Sequence, residues 1–402
     1  MNYVPIPVPV LELGKLLPVD VWDANGKLLL EKGHPIHSEQ HLEMLSSHQA
    51  CMTQSDAQAW QRSYQRMIHP LLEEGADVEI IVRAHLPGEL LETDSVMGNE
   101  VLGGWLELQE ILRGLLYQGE GAISPLQRLE GIELKALELL KNDPDECLFI
   151  LFQALADESL GYCATHALLA AVVCELSAEK LGLADSARRV LFRSAMVMNI
   201  GMAQAQDGLA RQSSAPVEAQ RKLIREHPQK SVDILQNFGV TDTDQLDIVR
   251  WHHELDESCG MLRNLESRRI LRMTDCFVAK MAARKTRLAM SALGVANAIP
   301  LGTTANTVTL GSAMTTALGF YPPGTYVQLV NGEKAVSVAR GQHANSPHVV
   351  SIVNPGGMPL SKYLYRDTAI PQFAIRAPLN AEKIKVKVSL EKVLQARTAH
   401  TA

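Results

Sequence analysis

The chain has 402 residues, long enough for two or three domains; 46% are hydrophobic and 21% charged, the ordinary balance of a globular protein in water. A net charge of -7 argues against a partner that is a nucleic-acid polymer, because such binders draw their affinity from neutralising phosphates. It leaves room for a small anion held by a few arginines. The six cysteines, Cys51, Cys147, Cys163, Cys174, Cys259 and Cys276, form no CxxC pair and read as free thiols rather than a disulfide framework. Met1 to Val10 has neither the basic start nor the apolar core of a secretion signal. The most apolar run, Ala164 to Leu176, is too short to cross a bilayer and contains His166 and Glu175. The expectation is a cytoplasmic protein with no membrane partner.

In chain order, residues 1–54 read as a small β unit. Val19, Val21 and Leu28 to Leu30 flank Asp23-Ala24-Asn25-Gly26, and Asn-Gly is a strong hairpin signal; a short helix is expected after Ser38. Residues 55–99 are polar and mixed, a connector of helix and irregular chain. Residues 100–299 turn helical. Leu106, Leu108, Ile111, Leu112, Leu115 and Leu116 fall at spacings that make one apolar face, and Asn142-Asp143-Pro144-Asp145 stops one helix and starts another. Further helices are expected over 145–156, 162–180, 188–199, 218–238 and 267–291; the second is apolar almost all round, as a buried helix must be. Residues 300–402 shift to Thr, Val, Gly and Pro. There a helix is followed by strands at 325–330 and 335–339 around Asn331-Gly332, then at 349–353 and 384–390.

The helical region carries the residues with chemistry: His166, His227, the pair His252-His253, and Asp275. Imidazole and carboxylate groups on separate helices can converge on a divalent cation such as Fe, Mn or Zn inside a bundle. Each also has a plainer reading. His166 suits a hydrogen-bonded core histidine, His227 before Pro228 suits a helix end, and a His-His pair is often surface.

Order and context favour the chemical reading, because several segments in sequence resemble the HD-GYP family. Ala195 to Met202 resembles A-x-L-H-D-I-G-K. Arg225-Glu226-His227-Pro228 contains the E-H-P element, and Trp251 to Asp256 resembles H-H-E with the loop that follows it. Ile270 to Phe277, with Asp275, resembles the R-I-x-x-V-A-D-x-F-D-A helix, continued by Arg284 and Arg287. Leu318 to Val327 resembles the L-G-x-Y-P-x-G-x-x-V stretch that follows such domains, and the opening β unit resembles the one that precedes them. The resemblance implies a mainly α fold, an HD-type helical bundle flanked by small N-terminal and C-terminal β units. It implies metal-dependent hydrolysis of cyclic di-GMP as the family activity. It also places His166, His227, His252, His253 and Asp275 as metal ligands, with Arg284 and Arg287 near the ligand phosphates; Arg225 is a further anion-binding candidate because it lies close to His227 in sequence.

The departures fall on the same site. The defining His-Asp pair is Met198-Asn199, the lysine after it is Met202, and the G-Y-P turn is Cys259-Gly260-Met261 in a shortened loop. Tyr162 stands where some members have a metal-binding glutamate, and the last motif's second aspartate is Val278. Asn199 is neutral and bridges two cations poorly, while the thioether of Met198 is ill matched to hard ions. The expectation is therefore at most one divalent metal (Fe, Mn or Zn), held by His227, His252 and His253, the count of a three-His zinc site. Three readings follow. The chain is an impaired relative acting as regulator or adaptor for cyclic di-GMP with a protein partner in signalling, a phosphodiesterase with a reduced three-His site, or an interaction module unrelated to nucleotides.

Overall fold

The computed structural model describes residues 3–6, 13–14, 16–17, 19–23, 27–30, 33–47, 50–53, 104–157, 160–254, 257–282, 290, 294, 305–381, 384, 386 and 388–401. The expected connector 55–99, and both Arg284 and Arg287, lie outside the described residues. The chain divides into two compact units, Met1–Gly98 and Asn99–Ala402.

In the first unit the hairpin signal produces β2 (Val21–Trp22) against β3 (Leu28–Leu30), with Lys27 N–H donating to the Asp23 carboxylate at 2.8 Å. Two strands that the sequence did not announce, β1 (Tyr3–Pro5) and β4 (Cys51–Thr53), complete an antiparallel sheet in the order β1-β4-β2-β3. The expected helix is α1 (Glu39–Ser47), and Val19, Val21, Leu45 and Met52 are buried in one apolar cluster.

The second unit is mainly helical and ends in a small antiparallel sheet. Its helices begin with α2 (Trp105–Gln118), α3 (Pro125–Asn142) and α4 (Pro144–Leu155). Asp143 caps α4 by accepting from Glu146 N–H at 2.9 Å, and Pro144 fills the first helical position, where its missing N–H costs nothing. The face of α2 is shifted from expectation: Trp105 is buried and Leu106 is 48% exposed. The wide indole fills the inward position, and its N–H points to the sulfur of Cys147 on α4 at 2.9 Å.

Next come α5 (Tyr162–Lys180), α6 (Asp185–Val197), α7 (Ala203–Arg211), α8 (Glu218–Asn237), α9 (Thr243–Trp251), α10 (Leu265–Met281) and α11 (Ala305–Leu318). Helix α5 is the axle, packed against α2, α4, α6, α7, α10 and α11. Its all-round apolar sequence follows from this, since no face is left for water. Among the described residues no helix is long and apolar enough to cross a membrane.

The closing sheet has the order β8-β7-β6-β5-β9, from β5 (Tyr326–Leu329), β6 (Lys334–Ala339), β7 (His348–Val353), β8 (Pro359–Asp367) and β9 (Ile375–Leu379). The strand expected over 384–390 is not borne out at the described residues of that range. Its described residues lie outside any strand, Ile384, Val386 and Val388 pack on the apolar face of the sheet, and α12 (Leu390–Thr401) begins at its end. At these residues the alternation records one-sided burial. One face of the sheet packs on Phe149 of α4 and Val393 of α12, so the β extension and the helices share a core. Arg397 of α12 reaches back to Asp143, the cap of α4, at 2.8 Å.

Candidate metal centre

Two helix irregularities set the chemistry of the site. In α8, Pro228 has no N–H, so the Ile224 carbonyl four residues earlier loses its usual donor. His227 takes its place: its Nδ1–H donates to the Ile224 oxygen at 2.6 Å. At the end of α9, the Val249 carbonyl is one of those a helix terminus leaves without an intrahelical partner. His252 Nδ1–H donates to it at 2.7 Å. A carbonyl only accepts, so each Nδ1 carries the hydrogen and each Nε2 presents a bare lone pair.

Those two Nε2 atoms face each other at 3.3 Å. Two nitrogens ligating one tetrahedral zinc at its usual bond length stand about 3.3 Å apart. Both rings are fully buried, which disfavours their charged forms. Burial, followed by the neighbouring histidines, pushes His252 down to about 3, and burial pushes His227 down to about 4. The two lone pairs therefore meet with no proton between them, an arrangement that a cation relieves. His253 completes the group: its ring centroid lies 4.0 Å from that of His252 and 5.1 Å from that of His227. One nitrogen from each ring falls within 4.8 Å of the others. Among the described residues, these three form the set of His, Cys and carboxylate groups that converges in this way.

His253 differs from its neighbours in its partner. Its Nδ1 lies 2.9 Å from Nη1 of Arg272 on α10. A guanidinium only donates, so this Nδ1 accepts, and in the neutral ring the hydrogen is on Nε2.

The other two expected ligands pair with each other. His166 Nε2–H donates to the Asp275 carboxylate at 2.9 Å, and His166 Nδ1 accepts from the Tyr162 hydroxyl at 2.9 Å. Both nitrogens of His166 are thereby occupied, and it takes no part in the three-ring group. Burial pushes Asp275 upward, but the hydrogen bond from His166 and the nearby imidazoles outweigh it and hold this carboxyl below its usual range.

Met198 and Asn199 are buried where the chain leaves α6. The Ser231 hydroxyl donates to the Met198 carbonyl at 2.9 Å and accepts from Gly201 N–H at 3.0 Å. A Cβ on Gly201 would fall 2.7 Å from the His227 carbonyl oxygen, so only glycine lets this segment lie against α8. The later part of the loop after His253, from Cys259 to Asn264, is also held by hydrogen bonds. The Asp247 carboxylate accepts from Met261 N–H at 2.8 Å and from the Asn264 amide at 2.9 Å, and buried Arg268 donates to the Cys259 carbonyl at 2.5 Å.

Arg225 lies apart from the three-ring group. Two residues along a helix turn it by about 200°, to the face opposite buried His227. There Arg225 is 62% exposed and pairs with Glu218 at 2.9 Å.

Three contributors were not singled out from the sequence. Arg272 carried no local signal. Ser231 looked like any helix serine. Helix α9, which presents the His pair, was readable in retrospect from Asp242, whose carboxylate accepts from Asp244 and Gln245 N–H at 3.0 and 3.1 Å.

No family model matches the chain, and no curated protein matches it. Among solved structures it is similar to one described as "Bd1817, a HDG"Y"P protein from Bdellovibrio bacteriovorus". The identity is 12%, 77% of this chain and 99% of that chain are covered, and the TM-score is 0.41.

Proposed function

We propose that this chain is a degenerate HD-GYP-like protein acting as a regulator or adaptor in cyclic di-GMP signalling, not as an efficient phosphodiesterase. The observation that carries this reading is the ligand inventory of the site. Three neutral imidazoles converge, with no carboxylate among them, and Asp275 is committed to His166. A binuclear centre concentrates four positive charges within a few ångströms, and a bridging carboxylate offsets that repulsion. Asn199 supplies no such charge. The donor set fits one ion and does not fit two.

Motif order supports the family assignment: the Ala195–Met202 segment, His227-Pro228, His252-His253 and Asp275 occur in the family's sequence. The cyclic di-GMP pathway and the protein partner rest on that resemblance. A second reading, hydrolysis at a single-metal site, is favoured by one specific observation, the 3.3 Å approach of two bare Nε2 atoms.

One experiment separates them: cyclic di-GMP hydrolysis by protein loaded separately with iron, manganese and zinc, beside His252→Ala. The expected outcome is no turnover above the variant under any loading. Turnover that His252→Ala abolishes would establish the second reading and sink the first.

A further inference from the structure

The three imidazoles are not equivalent, and the difference lies in the partner of each ring's second nitrogen. His227 and His252 donate to carbonyl oxygens, the outer partner that sets an imidazole up as a metal ligand by leaving its other nitrogen bare. His253 has the opposite kind of partner, a donor, 2.9 Å from its Nδ1. Whichever nitrogen of His253 would ligate, Arg272 obstructs it. If Nδ1 is the ligand atom, the guanidinium already occupies its lone pair. If Nε2 is the ligand atom, the hydrogen bond at Nδ1 fixes the ring's hydrogen on Nε2. Arg272 also brings a permanent positive charge beside the place where a dication would rest. Asp275, one turn along α10, bonds His166 rather than Arg272, and among the described residues Arg272 makes no ion pair within 4.0 Å.

We infer that Arg272 is a built-in competitor of the metal, holding His253 in a non-ligating state so that the site takes up a divalent ion only when the Arg272–His253 hydrogen bond breaks. This rests on the reading of His227, His252 and His253 as a one-metal site, and it adds a residue that tunes the affinity of that site. The role needs no change of fold: rotation of one half-buried side chain on α10 interconverts the two states.

The test is titration of the metal-free full chain with Co(II), followed by its ligand-field absorption, and with Zn(II) against a chromophoric chelator. Wild type, Arg272→Met, Arg272→Gln and Arg272→Met with His252→Ala are compared, with melting curves confirming that each is folded. Removing the guanidinium is expected to tighten binding by about 10- to 100-fold, the range over which outer partners tune a metal histidine, at one ion per chain. Adding His252→Ala should abolish the gain. Long-range proton–nitrogen NMR on the metal-free wild type should show His253 with its hydrogen on Nε2 and His227 and His252 with theirs on Nδ1. Equal one-ion binding by wild type and both Arg272 variants would overturn the inference and leave the three-His reading standing. No binding by any protein would overturn both. A gain that survives His252→Ala places the ion elsewhere and overturns the inference, as does His253 with its hydrogen on Nδ1.

Discussion

The molecule holds two histidine groups built to opposite ends. In the His227–His252–His253 group, backbone carbonyls take the Nδ1 hydrogens of two rings and leave their lone pairs facing one another at 3.3 Å. In the Tyr162–His166–Asp275 group, every donor meets an acceptor, hydroxyl to imidazole and imidazole to carboxylate, each at 2.9 Å. The residue type is the same and all but His253 of the four rings are deeply buried. What differs is what each ring's second nitrogen touches. One group presents two bare lone pairs with no hydrogen between them, and the other is satisfied as it stands. A buried histidine thus declares its role through its partners rather than its burial.

Acid should separate the two groups most widely. His227 and His252 have folded pKa values near 4 and 3, below the unfolded value of about 6.5, so the unfolded chain binds more protons throughout the interval between. Their contribution is intact above about pH 6.5 and is lost as pH falls toward 4. For His227 alone the loss by pH 4 is roughly 3 kcal/mol. Asp275 is also depressed, but from a carboxylate's unfolded value, so its contribution is lost only below about pH 4. Urea unfolding of metal-free protein should show stability declining between pH 6.5 and 4; a flat profile there would mean that the cluster is already protonated or solvated.

Removing one ring from each group sharpens the contrast. His166→Ala leaves the Asp275 carboxylate without its partner and should cost about 3 kcal/mol in chemical unfolding. His252→Ala should cost about half as much, since it relieves a lone-pair clash while orphaning the Val249 carbonyl, yet it should eliminate metal uptake measured by elemental analysis. The reverse ranking would assign the ligand role to the wrong group. The smallest effect belongs to Arg225→Ala: an exposed pair with Glu218 is worth less than about 1 kcal/mol, and neither metal uptake nor the thermal midpoint should move appreciably.

Much of the scaffold was legible in the sequence. Tyr162–Lys180 is apolar all round and became the buried axle, while Asn331-Gly332 marked the β5–β6 hairpin, where Gly332 adopts φ +88°. Helices α7 and α9 were missed because they are short and their apolar positions few. The residues of the candidate site were legible as types and order, and the structure brings three of the five together. Their division into two groups was not legible, because it depends on contacts such as His166 to Asp275, 109 residues apart. Arg272 was hidden for the same reason: an arginine on an amphipathic helix has no local mark that distinguishes a solvated side chain from one aimed at an imidazole.

The bond from Arg397 to the α4 cap, Asp143, spans 254 residues and has a consequence for biosynthesis. While the chain is being made, the Phe149 face of α4 must wait for β6, β7 and α12, so an apolar patch stays uncovered until those segments emerge. Such late closure slows folding, because a long loop must be restrained before its contacts repay the entropy.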